Sequence, residues 1–220
     1  MFRIKICGIT NVQDALTAAS AGADAIGLNF YAKSQRFVKP DVAKKIAAAV
    51  PKGMTRVGVF VNATADEIAT LVARVPLDFV QLHGDEPAAL LAQLPKDALL
   101  IRAVRCGYEG LAPLARFISE CRMHGRLPDA VLIDANASSD YGGTGQIADW
   151  QQIMRQREIL DGVPLILAGG LTPTNVGDAI GLVHPDAVDV ASGVENEPGR
   201  KNATLVAQFV ASARLAFSIR

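Results

Sequence analysis

The sequence is poor in several features that define whole classes of proteins. Only 5% of its 220 residues are aromatic, so few rings are available for stacking on nucleic-acid bases. The 22 lysines and arginines are balanced by 22 aspartates and glutamates, without the basic excess typical of nucleic-acid-binding proteins. No apolar run reaches the roughly 18 residues of a membrane-spanning helix. We therefore expect neither a nucleic-acid partner nor a membrane association.

Cysteine and histidine are also scarce. The three cysteines, Cys7, Cys106 and Cys121, have no CxxC spacing, which argues against a disulfide framework and a cysteine zinc site. Among three histidines, only His83 ends a strand-like run, and no partner stands at metal-ligand spacing, so we expect no metal. The first residues enter a strand-like run without a signal-peptide core, which predicts a cytoplasmic location.

What the chain does have is a repeated unit. Eight short apolar runs rich in β-branched residues start about 26 residues apart, the length of one strand, one helix and two loops. Helical spacing appears between them, for example over 11–21, 64–75 and 203–215, and Thr64 with Glu67 forms a capping-box pattern. The runs cover residues 3–7, 24–30, 56–61, 78–83, 99–104, 130–134, 164–169 and 187–193.

The apolar runs do not alternate with polar residues, as expected for parallel strands covered by helices. Eight such units predict an α/β fold with a single domain over residues 1–220, a compact (β/α)₈ TIM barrel. The alternative is an open doubly wound sheet, which usually has fewer strands.

A barrel of this type carries its active site where the strands end. Cys7 and Asp134 end the first and sixth predicted strands, so they would face each other across the mouth as base and acid. A depressed thiol pKa would suit that base. The alternatives are a cysteine that only fills space and an aspartate that only forms a turn. Strand parity further predicts a Lys5–Asp189 ion pair deeper in the barrel.

Glycine-rich turns follow the last three predicted strands. Backbone N–H groups of such turns bind phosphate in many barrels, although adjacent glycines also form ordinary tight turns. We predict a phosphate site at Gly143, Gly169, Gly170, Ser192 and Gly193.

Three further loop features have open roles. Arg36 lies in the loop after the second strand, either solvated or as a bidentate clamp for a carboxylate. His83 could contact a ligand, act as an acid or base, or be structural. Asp85 and Glu86 precede Pro87, which predicts carboxylates at the positive end of the next helix.

These residues resemble the phosphoribosylanthranilate isomerase family, and the similarity spans nearly the whole chain. The opening KICGIT (5–10) and the block QLHGDE (81–86) are the most specific segments. One departure is Gln35, where the family often has proline. The other matching segments are GLNF (27–30), SQRFV (34–38), VGVFV (57–61), LID (132–134), GGTG (142–145), LAGGL (167–171) and VDVASGVE (188–195).

The resemblance implies an Amadori rearrangement of N-(5-phosphoribosyl)anthranilate in tryptophan biosynthesis. It implies Asp134 as the acid that opens the sugar ring, Cys7 as the base that removes the C2 proton, and Arg36 as the group that binds the anthranilate carboxylate. His83 is assigned to substrate binding and the glycine loops to the phosphate. The partner would be a small phosphorylated substrate, no cofactor or metal would be needed, and the enzyme would be a monomer or homodimer.

Other functions compete with this interpretation. The histidine-pathway aminoaldose-phosphate isomerase has the same chemistry but resembles two fused half-barrels and uses two aspartates. A metal-dependent pentose-phosphate epimerase would carry several strand-end histidines. A phosphate-binding barrel without catalysis would have no reason to pair Cys7 with Asp134.

Overall fold

Eight parallel strands form a closed barrel in chain order. The computed structural model describes residues 1–106, 110–135 and 150–219. Closure comes from β1, which pairs with both β2 and β8, so the predicted barrel is confirmed and the open doubly wound sheet is wrong. The 1–220 domain limits stay a prediction. The strands are β1 (Ile4–Ile6), β2 (Ala25–Asn29), β3 (Thr55–Phe60), β4 (Phe79–Leu82), β5 (Leu99–Arg105), β6 (Ala130–Asp134), β7 (Leu165–Ala168) and β8 (Ala187–Val190).

Helices connect successive strands and cover the outside of the barrel. The capping box predicted at Thr64 and Glu67 is present at the start of the third helix. No helix in the described part of the chain is long and apolar enough to cross a membrane. The helices are α1 (Val12–Ser20), α2 (Pro40–Ala49), α3 (Ala65–Arg74), α4 (Ala88–Gln93), α5 (Ala112–Met123), α6 (Trp150–Arg155), α7 (Val176–Val183) and α8 (Ala203–Ser218).

Three short elements complete the described chain. A 3₁₀ turn over Arg157–Leu160 follows α6, and another over Ser192–Val194 follows β8. The second leads into a two-stranded antiparallel hairpin of β9 (Glu195–Glu197) and β10 (Arg200–Lys201). This hairpin inserts between β8 and α8, on the side of the barrel where the strands end.

The barrel interior changes character along its axis. Alternate strand residues point inward, and the lower part is filled by apolar side chains such as Phe2, Val57 and Phe79. Above them lie the buried polar side chains of Lys5, Gln81 and Asp189. The outward-facing residues pack under the helices in separate apolar clusters. Polar groups are therefore concentrated toward the C-terminal ends of the strands.

Candidate active site

A cavity of about 600 Å³ opens at the C-terminal ends of the strands. A larger cavity of about 800 Å³ lies at the opposite end, lined by residues at the starts of strands. Of these two cavities, the first brings together predicted site residues from six strand ends and their loops. Gly143 lies outside the described residues. The predicted site residues that line this cavity are Cys7, Arg36, His83, Asp134, Gly169, Gly170, Ser192 and Gly193.

Cys7 lies directly after β1, and its backbone N–H donates to the carbonyl of Val190 at the end of β8. A Cβ on Gly27 of the neighbouring strand would come within 2.6 Å of the thiol Sγ, so glycine there makes room for it. Burial and the negative charge of Asp189 raise the pKa of Cys7, and the cations Lys5 and Lys201 oppose that rise. The depressed pKa that would suit a base is therefore not found at Cys7, because removal from water outweighs both cations.

Below Cys7, Lys5 is completely buried, and its ammonium group contacts polar side chains. Its Nζ lies 3.0 Å from Asp189 Oδ1, which confirms the predicted ion pair. The same Nζ donates to Gln81 Oε1 at 2.9 Å. The attraction of Asp189 and Cys7 keeps the pKa of Lys5 above its usual value despite the burial, so this ammonium stays charged.

His83 follows β4 and faces Asp134, which ends β6. The two side chains approach to 3.9 Å between Nε2 and Oδ2. On its other side, His83 Nδ1 lies 3.0 Å from Gln81 Nε2. Burial and the positive charges of Lys5, Arg105 and Arg102 lower the pKa of His83 to about 3, so the imidazole is neutral at physiological pH.

The turns after β7 and β8 have backbone geometry that favours glycine. Gly169 and Gly170 have φ values of 88° and 65°, which non-glycine residues rarely adopt. A Cβ on Gly193 would lie 1.9 Å from the carbonyl oxygen of Leu171, so only glycine fits against that loop. Both turns border the cavity, as does Ser192 at the start of its 3₁₀ turn. Such turns can present backbone N–H groups to an anion.

Arg36 is held by a carboxylate that the sequence analysis missed. Its Nε and Nη2 donate to both oxygens of Glu195 in β9, at 2.6 to 3.1 Å. Glu195 also accepts from the buried Lys201 Nζ at 2.7 Å, and Lys201 donates to the carbonyl of Ala191. These bonds fix the Arg36 guanidinium at the cavity wall, and the aliphatic stem of Arg36 lies beside Gly8.

Glu86 corrects another expectation. It is buried, and α4 begins only at Ala88, so Glu86 does not serve the start of that helix. Its carboxylate accepts from the backbone N–H groups of Asn62 and Gly84 and from Arg102 Nη1 at 2.6 Å. It therefore ties together the loops after β3 and β4, beside His83.

Comparison with known proteins places this chain in a family. Residues 4–212 match the sequence model described as N-(5′-phosphoribosyl)anthranilate (PRA) isomerase. The N-(5′-phosphoribosyl)anthranilate isomerase of Acidithiobacillus ferrooxidans is 43% identical over 97% of this chain and 98% of its own length.

Solved structures of proteins from this family are similar to this chain over nearly its whole length. The phosphoribosylanthranilate isomerase of Thermotoga maritima is 37% identical, with a TM-score of 0.86 over 97% of this chain and 99% of its own. Another, solved with reduced 1-(o-carboxyphenylamino)-1-deoxyribulose 5-phosphate, is 38% identical with a TM-score of 0.80 and the same coverage. The chain therefore belongs to the N-(5′-phosphoribosyl)anthranilate isomerase family.

Proposed function

We propose that this chain converts N-(5-phosphoribosyl)anthranilate into 1-(2-carboxyphenylamino)-1-deoxyribulose 5-phosphate, a step of tryptophan biosynthesis, with Cys7 as base and Asp134 as acid. The observation that carries the assignment is the single cavity that both residues line together with Arg36 and the glycine turns. It offers the Cys7 thiol, the Asp134 carboxyl, the Arg36 guanidinium and two anion-compatible turns to a substrate with two anionic ends.

The reaction needs a proton at one atom and a base at another. Asp134 donates its proton to the furanose ring oxygen, and the C1–O bond breaks to give an open-chain imine. The Cys7 thiolate then removes the proton from C2, and the electrons of that bond move to form an enolamine. Tautomerisation to the ketone completes the internal redox change without an external oxidant or reductant.

Substrate binding is divided between the two sides of the cavity. Glu195 occupies the Nε–Nη2 edge of Arg36, and the Nη1 end of the planar guanidinium points away from that edge. We assign this end to the anthranilate carboxylate. The turns at Gly169–Gly170 and Ser192–Gly193 receive the phosphate through backbone N–H groups, with Gly143 as a further member of that site.

The assignment is tested with purified protein and freshly made phosphoribosylanthranilate, following the decay of anthranilate fluorescence. We expect turnover that EDTA leaves unchanged, since EDTA sensitivity would favour a metal-dependent epimerase. We expect Cys7→Ser and Asp134→Asn each to lower kcat by roughly 10²- to 10⁴-fold with unchanged folding, the usual range for general acid or base loss. Near-native turnover in either variant would refute that residue's role.

We also propose a reducing cytoplasm as the compartment of this enzyme. Cys7, Cys106 and Cys121 are thiols rather than disulfides in the structure, and the proposed base requires a reduced thiol. Fractionation of cells that express the tagged protein tests this location.

A further inference from the structure

The geometry points to Gln81 as a positioning residue that holds His83 as a neutral imidazole with its proton on Nε2, directed at Asp134. This inference rests on the proposed function only for its catalytic consequence. The protonation state itself is a property of the chain without substrate.

The first step concerns the orientation of the Gln81 amide. Gln81 is completely buried between Lys5 and His83. A lysine ammonium has three donors and no acceptor, so the amide atom 2.9 Å from Lys5 Nζ has to be the oxygen. The amide nitrogen of Gln81 therefore faces His83. Lys5 is itself fixed by its ion pair with Asp189, so this orientation is anchored from below.

The second step concerns the imidazole. The Gln81 amide nitrogen only donates, and it lies 3.0 Å from His83 Nδ1, so Nδ1 has to accept and carries no proton. A neutral imidazole has one proton, which is then on Nε2. An imidazolium would place two donors against each other at Nδ1. The contact therefore disfavours both the Nδ1–H tautomer and the charged form.

The charged groups around His83 act in the same direction. Lys5 of β1 and Arg102 and Arg105 of β5 all disfavour a further positive charge on the ring. The opposing group is Asp134 of β6, 3.9 Å from Nε2, whose carboxylate would favour an imidazolium. Burial adds to the effect of the three cations, which leaves the ring neutral.

The consequence for catalysis concerns Asp134, the proposed acid. An imidazolium beside Asp134 would favour the carboxylate, which has no proton to donate. A neutral ring does not stabilise the carboxylate in this way before the reaction. Once that proton has moved to the substrate, the Nε2–H donor faces the new carboxylate. This resolves the role of His83, which the sequence left open, as a neutral donor rather than a base.

The tautomer is measured directly by two-bond ¹H–¹⁵N correlation spectra of the three histidine rings in the native protein without substrate. The His124→Gln and His184→Gln variants identify the His83 signals by elimination. We expect the neutral Nε2–H pattern throughout the range from about pH 5 to pH 8. An Nδ1–H pattern, or titration near pH 6.5, would overturn the inference whatever the isomerase assay shows.

Gln81→Glu tests the positioning role. A carboxylate accepts from an Nδ1–H, so the pKa of His83 should rise by about one unit or more. The kcat of this variant should then fall as the pH drops below the new pKa and recover above it, with a smaller change in KM. The kcat–pH profile of the native enzyme should show no break at that pKa.

Gln93→Glu, on the exposed side of α4, is the matched control and should retain the native pH profile. A Gln81→Glu variant with native His83 titration and a native profile would refute the positioning role. Should that variant fail to fold, Gln81→Met keeps the side-chain volume without a donor. His83 should then populate both tautomers, and an unchanged Nε2–H pattern would refute the role equally.

Discussion

At the scale of single residues, the site is governed by competition between burial and charge. Cys7 lies among the cations Lys5 and Lys201, yet its pKa is raised because burial and Asp189 act more strongly. The two lysines therefore limit the cost of forming a thiolate at this half-buried position. Removing one of them should make the proposed base harder to ionise.

Lys201→Met tests this effect. We expect the pKa of Cys7 to rise further, by roughly half a unit or more, because one of two stabilising cations is lost. The measurement is the rate of alkylation by iodoacetamide as a function of pH, with Cys7→Ser as the background from the two buried cysteines. Lys45→Met, at an exposed position of α2, is the control. A pH–rate curve equal to that of the native protein would show that Lys201 does not act on the thiol.

Glu195 has a separate role as the support of Arg36. In Glu195→Gln the charge-assisted bidentate contact is lost, and the guanidinium is less restricted. We expect KM for phosphoribosylanthranilate to rise by roughly tenfold, with a smaller change in kcat. Arg36→Ala should likewise act mainly on KM.

Glu197→Gln, on the same hairpin but exposed, serves as the control and should leave KM unchanged. An unchanged KM in Glu195→Gln would mean that Arg36 does not need this carboxylate for substrate binding.

At the scale of elements, one buried ion pair connects two loops and one strand. Glu86 lies between β4 and α4, receives a backbone N–H from the loop after β3, and pairs with Arg102 of β5. The Arg102 guanidinium also lies over the ring of Phe117 in α5, 4.7 Å from its centre. This pair belongs to the layer between strands and helices rather than to the cavity.

Glu86→Gln should therefore destabilise the protein strongly. Arg102 would keep its charge in a buried place without a counterion, a change that typically costs about 3 kcal/mol or more. The free energy of unfolding in urea measures the loss. Asp41→Asn breaks the exposed contact between Asp41 and Arg74 and should have no measurable effect. A loss in Glu86→Gln no larger than in Asp41→Asn would show that the buried pair does not stabilise the barrel.

The sequence predicted the repeated elements well, because strand and helix patterns depend on neighbouring residues. The parity that correctly paired Lys5 with Asp189 also places Gln81 two residues before His83 on the inward face. Strand parity in the barrel does not apply to Glu195 and Lys201. They follow β8 in a hairpin that breaks the strand–helix alternation, and charged residues in a loop look like solvent-exposed ones.

At the scale of the whole molecule, a neutral chain contains a strongly polar barrel end. The overall charge is zero, yet the groups around the cavity are paired locally, as with Lys5 and Asp189 or Arg36 and Glu195. The lower barrel is apolar and carries the packing. The polar end of the barrel therefore serves binding, and the apolar end serves stability. The protonation of buried titratable groups at the polar end nevertheless affects the free energy of folding.

The pKa of His83 makes the free energy of unfolding of the whole molecule depend on pH. Its pKa is about 3 in the folded chain, against 6.5 for an ordinary imidazole. Between these values the unfolded chain binds a proton that the folded chain does not, so stability is complete above pH 6.5 and declines as the pH falls. From pH 7 to pH 5 this amounts to at most about 2 kcal/mol, reduced by the partial exposure of the ring.

Urea unfolding of the native protein and of His83→Gln at both pH values isolates this contribution, because the other titrating groups are common to both. We expect the variant to lose less stability than the native protein on acidification. His124→Gln, which removes an exposed imidazole, should lose as much as the native protein. Equal acid losses in the His83→Gln and native proteins would mean that His83 takes up a proton as readily in the folded barrel as in the unfolded chain.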